Sequence, residues 1–440
     1  MSKARFWHGL GSTTLAVGFF TLALFVGLSR ADDKPAAKTK AKDTAKDADA
    51  DKAELLKLNS FTGVDAMQTK LSEMIKDKDR SKKLVELATE MTKDAKGKDS
   101  PFNYNASLIL AKTAHSLRLH DAAEVFYEKC AEDAAKLGSA NKLVQTYEGM
   151  IDLYTDMKKF NVVEEVCQKF LDLKGGKELN DAKPFVLEKL IQSKARQGQT
   201  DEALRMAEGL IQLDEGGWYF VQLKGWVQRE AGKIDDAIDT YKDVITKLEK
   251  SKVKEDLRGR LQDNVRYILS GLYVEQDKID PAAEQLQTLI KKHPDNPTYK
   301  NDLGFIWCDH DIKLPEAEKL IREAIDGDKK LKEKLKTEGK LEEVRANAAY
   351  LDSLGWVLFK QKKYKEALKY LNEAAQDPDE GQHIEIFDHV ADCLAAMGQK
   401  KEALDTLLKA VKLDDVSKRD AERRRKMTEK IKKLRAELKD

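Results

Sequence analysis

A recurring spacing of small residues is the feature of this sequence that most restricts its fold. In the segment from Leu351 to Ala374, Gly355 precedes Ala367 by 12 residues and Ala374 by 19. Small residues at this spacing let two consecutive helices approach closely, while a larger side chain such as Leu371 fills the adjacent hole. The spacing therefore predicts a helical hairpin. Seven further segments repeat its first two positions, one of them with an extra residue: Ala111 and Ala123, Ile151 and Val163, Ile191 and Ala203, Gly225 and Ala237, Ser270 and Ala282, Gly304 and Ala317, and Ala391 and Ala403.

Composition and chain breakers support the same interpretation. The 440 residues include only 8 Pro and 24 Gly, which favours long helices over a β sandwich or barrel with many tight turns. Gly198, Gly232 and Gly398 each stand five residues before the alanine of a second helix, where a left-handed residue ends the first helix at little steric cost. The charges nearly cancel, with 79 Lys+Arg against 78 Asp+Glu, so net charge provides no attraction to nucleic acid.

Together these features resemble the tetratricopeptide repeat family, whose units are helix-turn-helix hairpins of about 34 residues. The resemblance is closest in 296–324, 350–374 and 384–410, which are similar to repeats common in exported bacterial proteins. The second-helix small residues are spaced by 40, 40, 34, 45, 35, 50 and 36 residues, so several units carry insertions. We interpret the longest insertion, 327–346, as helix extensions. The resemblance implies an all-α fold, an α-solenoid of stacked hairpins with irregular spacing.

The N-terminus has the order of residues of a secretory signal. Lys3 and Arg5 precede an apolar run over 14–28, and the small residues Ser29 and Ala31 follow at the positions that a signal peptidase reads. We expect cleavage after Ala31 and export to a bacterial periplasm; the alternative is an uncleaved membrane anchor with the chain facing the periplasm. The predicted organisation is a signal peptide or anchor over 1–31, a disordered Lys/Ala/Asp linker over 32–54, an N-terminal helical segment over 55–100, divergent repeats over 101–290, well-matched repeats over 294–412 and a basic C-terminal capping helix over 416–440.

The C-terminal segment combines basic charge with an apolar stripe. Between Val416 and Asp440 there are 11 Lys/Arg against 5 Asp/Glu, but no interleaved aromatic residue of the kind that stacks on nucleic-acid bases. We interpret it as a helix that caps the last repeat, with no nucleic acid as partner. The stripe at helical spacing is Met427, Ile431, Leu434 and Leu438, and the basic side chains expected to remain in water are Arg423, Arg424, Arg425, Lys430 and Lys433.

Motifs for catalysis or cofactor binding do not occur in the sequence. It contains no P-loop, no dinucleotide-binding glycine motif, no GxSxG elbow and no HExxH motif. The four cysteines lie far apart without histidines at zinc spacing, and the run Cys-Asp-His-Asp over 308–311 is interpreted as a polar turn beside a core cysteine. We therefore predict no catalytic residue, no cofactor and no metal. An enzymatic alternative would require a site assembled across several helices.

The resemblance implies that the first helices of the hairpins line a concave groove. The residues that face this groove lie one position after, three positions before and four positions after the small residue of each first helix. The candidate partner-binding residues are Gln222, Trp226, Arg229, Asn301, Phe305, Asp352, Trp356, Phe359, Asp388 and Asp392. Aromatic residues in the middle and acidic residues toward both ends favour a basic or aromatic-containing protein or peptide partner. The alternative is that the carboxylates are ordinary surface groups and the tryptophans only pack helices. The predicted function is that of an exported, non-enzymatic adaptor or assembly factor, with a membrane-anchored organiser of the same fold as the alternative.

Overall fold

The regular structure is helical throughout the residues that the computed structural model describes, which are 44–95, 100–214, 217–341, 343–378, 380–413 and 418–438. A short 3-10 turn at Leu58–Ser60 accompanies the α-helices. The helices are α1 Thr44–Lys57, α2 Val64–Lys76, α3 Lys78–Asp94, α4 Tyr104–Ser116, α5 His120–Lys136, α6 Ala140–Asp156, α7 Phe160–Leu171, α8 Lys177–Arg196, α9 Thr200–Leu213, α10 Trp218–Glu230, α11 Ile234–Lys250, α12 Glu255–Glu275, α13 Ile279–Lys292, α14 Pro297–Asp309, α15 Leu314–Thr337, α16 Ala348–Lys360, α17 Tyr364–Gln376, α18 Ile384–Ala396, α19 Lys400–Ala410 and α20 Lys418–Glu437.

The predicted hairpins are confirmed as pairs of consecutive helices. Each first-helix position of the spacing and its partner 12 or 13 residues later fall on consecutive helices, from α4 and α5 through α18 and α19. In the best-matched pair, a Cβ added to Gly355 would lie 2.5 Å from Cγ of Leu371 and 3.2 Å from the backbone oxygen of Ala367. Ala367 and Leu371 are themselves fully buried. The small residues therefore allow the two helix axes to approach, as their spacing predicts.

The turns between the paired helices confirm the left-handed residue expected there. Gly198, Gly232 and Gly398 have φ angles of 79°, 73° and 81°. Other hairpins place a residue with a side chain at the same position, and Lys362, for example, has a φ of 64°. This conformation is less favourable for these residues than for glycine, because their Cβ atom crowds the following carbonyl oxygen.

The described helices form two compact units, of which the first ends at Asp243. In this unit α4 packs on α5, α6 on α7 and α8 on α9, and the first helices α6, α8 and α10 pack on one another in order. The segment 44–54, predicted as part of the disordered linker, is instead helical. Its helix α1 is held because Leu55 is buried and Arg80 of α3 donates to the carboxylates of Asp51 and Glu54. This partner lies about 30 residues away, beyond the reach of a local composition argument.

The second unit begins at Val244. Here α12 packs on α13, α14 on α15, α16 on α17 and α18 on α19, and α20 then packs on both α18 and α19. The insertion predicted as helix extensions is helical only in its first half. The 24-residue α15 continues to Thr337, after which Gly339 has a φ of 68° and the chain returns to α16 without a further described helix.

The predicted signal segment 1–31 and the linker residues up to 43 lie outside the described residues. Among the helices that are described, none combines the length and the apolar composition needed to cross a bilayer.

Candidate partner-binding groove

The first helices of the hairpins in the second unit, α12, α14, α16 and α18, form a row that we call the first-helix row. Side-chain contacts join its members in sequence. Tyr267 of α12 donates a 2.6 Å hydrogen bond to Asp302 of α14, and Asp352 of α16 lies 2.9 Å from Nδ1 of His389 on α18. Five positions predicted to line a groove fall on α14 and α16, and two fall on α18: Asn301, Phe305, Asp352, Trp356, Phe359, Asp388 and Asp392.

An aromatic stack lies at the centre of this row. The ring of Trp356 is nearly parallel to that of Phe359, with centroids 4.8 Å apart, and to the imidazole of His389, with centroids 4.1 Å apart. The ammonium of Lys360 lies 5.3 Å from the Trp356 centroid, a cation–π distance. Only 9% of Trp356 is exposed, whereas Phe359 is half-buried. Trp356 therefore supports the stack from within, and Phe359 presents the aromatic surface.

A buried ion pair underlies the stack. His389 is 1% exposed and Asp352 is 5% exposed, and Nδ1 of His389 lies 2.9 and 3.1 Å from the two carboxylate oxygens of Asp352. Burial opposes the charged imidazolium, but the neighbouring carboxylate outweighs it, so the pKa of His389 is raised above its ordinary value. Asp352 was predicted to line the groove as a carboxylate for a partner. In the structure it is buried and paired with His389, a residue that the sequence did not single out.

The acidic end of the row is closed by the C-terminal helix. Lys430 of α20 lies 2.7 Å from Asp388 and 2.7 Å from Asp392, and Arg423 of α20 donates a 3.1 Å hydrogen bond to Asp388. Removal from water raises the pKa of Asp392. These two cations were expected to remain in water, and that expectation is wrong. Packing of α20 on α18 turns them toward the carboxylates.

The rest of α20 matches the expected cap more closely. Met427, Ile431 and Leu434 are buried against α18 and α19, whereas Leu438, which continues the stripe, is 37% exposed. Arg425 is exposed as expected. Lys433 is also exposed as expected, whereas Arg424 donates to the backbone oxygens of Val411 and Leu413, just after α19.

The α14 part of the row carries one half-buried aromatic ring and one incompletely bonded amide. Phe305 is half-buried. Asn301 is 6% exposed and donates to Asp302 at 3.3 Å, while its own Oδ1 has no hydrogen-bond partner. Burial also raises the pKa of Asp302, the acceptor of the Tyr267 hydroxyl.

In the first unit, the predicted residues lie on α10. Gln222 is 5% exposed and its Oε1 is unpartnered, Trp226 is half-buried with the guanidinium of Arg196 at 5.3 Å from its ring, and Arg229 is exposed. A buried carboxylate of the neighbouring α8, Glu188, accepts a hydrogen bond from Tyr219, and burial raises its pKa. An internal donor thus occupies an acidic groove position in this unit as well.

Chemically, the row offers stacking surfaces and paired charges. Within the described residues, no three His, Cys, Asp or Glu side chains come together as a metal-binding group. Cys308, at the start of the Cys-Asp-His-Asp run, is buried in the core, and the imidazole of His310 contacts the backbone oxygen of Ile306 at 2.8 Å. The run is therefore a polar turn beside a core cysteine.

Comparison with known protein families identifies the repeats directly. Two models described as tetratricopeptide repeat match residues 189–251 and 265–296. A third model, described as anaphase-promoting complex, cyclosome, subunit 3, matches residues 329–410. These matches and the helical hairpins that coincide with them show that the chain is a tetratricopeptide repeat protein. Proteins built on this repeat generally mediate protein–protein interaction or scaffold the assembly of complexes.

Individual relatives are distant. A TPR repeat-containing protein of Pseudomonas aeruginosa is 29% identical over 125 residues, which cover 28% of this chain and only 18% of that protein. The crystal structure of a tetratricopeptide repeat protein from Parabacteroides merdae is 12% identical, with a TM-score of 0.42, and covers 69% of this chain and 98% of its own. MamA from Desulfovibrio magneticus is 16% identical, with a TM-score of 0.33, over 44% of this chain and 96% of its own.

Proposed function

We propose that the chain is an exported, non-enzymatic adaptor or assembly factor that binds a protein or peptide partner on the first-helix row of its second unit. The observation that carries the proposal is the presence of two half-buried rings on neighbouring first helices, Phe305 on α14 and Phe359 on α16, of which Phe359 is stacked on the buried Trp356. Aromatic rings held by a rigid support are effective anchors, because they bury a large area and lose little conformational freedom on binding.

The internal ion pairs narrow the chemistry of the partner. Asp352, Asp388 and Asp392 each have a cationic or imidazole partner within this chain. A basic residue of the partner therefore gains little at these positions unless it replaces the internal one. An aromatic or apolar segment that packs on the accessible parts of Phe305 and Phe359 buries apolar area without having to replace an ion pair. We accordingly propose an aromatic-containing partner, with basic residues contributing only at the end of the row where α20 now lies.

A capture experiment with matched variants tests this proposal. The variant Phe305→Ala/Phe359→Ala removes both half-buried rings, and Tyr370→Ala removes a half-buried ring from the second helix α17. We expect the double variant to lose at least about tenfold of the specifically captured partner, as for hot-spot residues, and Tyr370→Ala to retain it. Quantitative mass spectrometry measures capture, and circular dichroism checks that both variants remain helical. Equal capture by all three proteins would refute the proposal.

Export is part of the proposal and has a separate test. The order of basic, apolar and small residues up to Ala31 supports a cleaved signal. Sequencing the N-terminus of the mature protein should give a start at Asp32. A mature chain that retains its first 31 residues would instead support the membrane-anchored organiser facing the periplasm.

A further inference from the structure

The way α20 sits on α18 is unlike a simple cap of the stack. Its two partly buried cations, Arg423 and Lys430, lie seven residues apart, which places them on one side of the helix two turns from each other. Between them, Met427 is fully buried. The docked face of α20 therefore consists of a basic residue, an apolar residue and a second basic residue.

The surface that receives this face is complementary in charge. Glu385, Asp388 and Asp392 follow one another along α18 at spacings of three and four residues, so they share one side of that helix. Arg423 reaches Glu385 at 2.5 Å and Asp388 at 3.1 Å, and Lys430 joins Asp388 to Asp392. This set of carboxylates is a formed receptor for two basic side chains of a helix, and its occupant is part of the same chain.

The hydrogen bonding between α20 and this surface is incomplete. Nε of Arg423 is buried without a hydrogen-bond partner, which offsets part of the gain from its ion pairs. The apolar contribution comes from three side chains, Met427, Ile431 and Leu434. A helix with the same charge spacing and a larger apolar contribution could therefore replace α20 on this surface.

We propose that α20 is a resident occupant of the acidic end of the first-helix row, and that a partner helix carrying two basic residues seven positions apart displaces it. The inference rests on the proposed function, since it identifies what part of a partner binds at this end. The partner helix and α20 then compete for the same carboxylates of α18. In the free protein, α20 shields these carboxylates from solvent.

A peptide competition with the full-length protein tests the displacement. The probe is a fluorescent peptide with the sequence of residues 418–438, and binding is followed by anisotropy. In the variant Arg423→Ala/Lys430→Ala, α20 no longer pairs with the carboxylates, and we expect the peptide to bind at least about tenfold more tightly than to the unmodified chain. The control Lys426→Ala/Lys432→Ala removes the same charge from exposed positions of α20 and should leave binding unchanged. A peptide that carries Arg423→Glu and Lys430→Glu should not bind.

Amide hydrogen exchange over 421–434 in the same samples separates displacement from loss of structure. Faster exchange together with tighter peptide binding in Arg423→Ala/Lys430→Ala supports the proposal. Faster exchange without peptide binding would show that α20 is only a cap, and equal peptide binding by both variants would also overturn the proposal. No native partner enters this assay, so failure of the Phe305→Ala/Phe359→Ala capture experiment would refute the proposed function without affecting this result.

Discussion

Gly304→Ala is predicted to destabilise the second unit, because the close approach of α14 and α15 depends on the missing side chain. A Cβ at this position would lie 2.7 Å from Cγ1 of Ile321 and 2.9 Å from the backbone oxygen of Ala317. The second contact is with backbone, so α15 must shift as a whole. Overpacking of this kind costs about 1–3 kcal/mol, and a backbone contact places it near the upper value. Alanine regains about 1 kcal/mol of helix propensity, which leaves a net loss of about 2 kcal/mol.

Gly271→Ala is the matched control, since Gly271 lies in the first helix α12 and a Cβ there would meet nothing within 4 Å. Gly271→Ala should therefore gain only the helix propensity of alanine, about 1 kcal/mol. With the net loss of about 2 kcal/mol for Gly304→Ala, the free energies of unfolding of the two variants should differ by about 3 kcal/mol. Urea denaturation followed by far-ultraviolet circular dichroism measures both. Equal stability of the two variants would refute the close-approach argument on which the fold assignment rests.

Three further outcomes follow from particular residues. Lys362→Gly should raise the free energy of unfolding by about 1 kcal/mol, because it removes a left-handed side-chain residue, and Gly398→Ala should lower it by a similar amount in the same urea assay. Because its pKa is raised in the folded state, His389 contributes stability that is complete at pH values below its ordinary pKa of 6.5 and is lost as the pH rises through the folded pKa. His389→Gln should abolish that part of the pH dependence of the urea midpoint. An unchanged pH profile would contradict a stabilising interaction between His389 and Asp352. Burial raises the thiol pKa of Cys393 to about 11, and all four cysteines are buried, so none should react with a thiol reagent before unfolding.

The hairpins could be predicted from sequence because their determinants are local. Gly355 and Ala367 belong to helices joined by one short turn, so a fixed spacing along the chain is enough to place them in contact. Gly198 and Gly398 mark such turns for the same reason, since the requirement for a positive φ is a property of one residue.

The charge pairing of the candidate groove could not be predicted in the same way. Asp352 and His389 are separated by 37 residues, and Asp388 and Lys430 by 42, and insertions of varying length lie between the repeats. Which side chains meet across neighbouring first helices depends on how far each hairpin is shifted along the next, which the small-residue spacing does not encode. One signal was available: His389 lies two residues before the first-helix alanine Ala391, within the turn of helix that carries Asp388.

The linker shows the same limit. Its composition between 44 and 54 includes no aromatic and no large aliphatic residue, which predicts that the segment cannot fold alone. The helix forms because Leu55 and an ion pair with Arg80 attach it to α3, and this attachment is a property of the folded unit.

Site-specific photo-cross-linking in the native host asks whether the first-helix row of the second unit is the partner-binding surface. A photoreactive phenylalanine analogue replaces Phe305 on α14 or, in a parallel sample, the exposed Glu373 on the second helix α17. We expect a discrete adduct with one protein from position 305 and none from position 373. Adducts from position 373 alone would place the binding surface on the second helices and rule out the first-helix row.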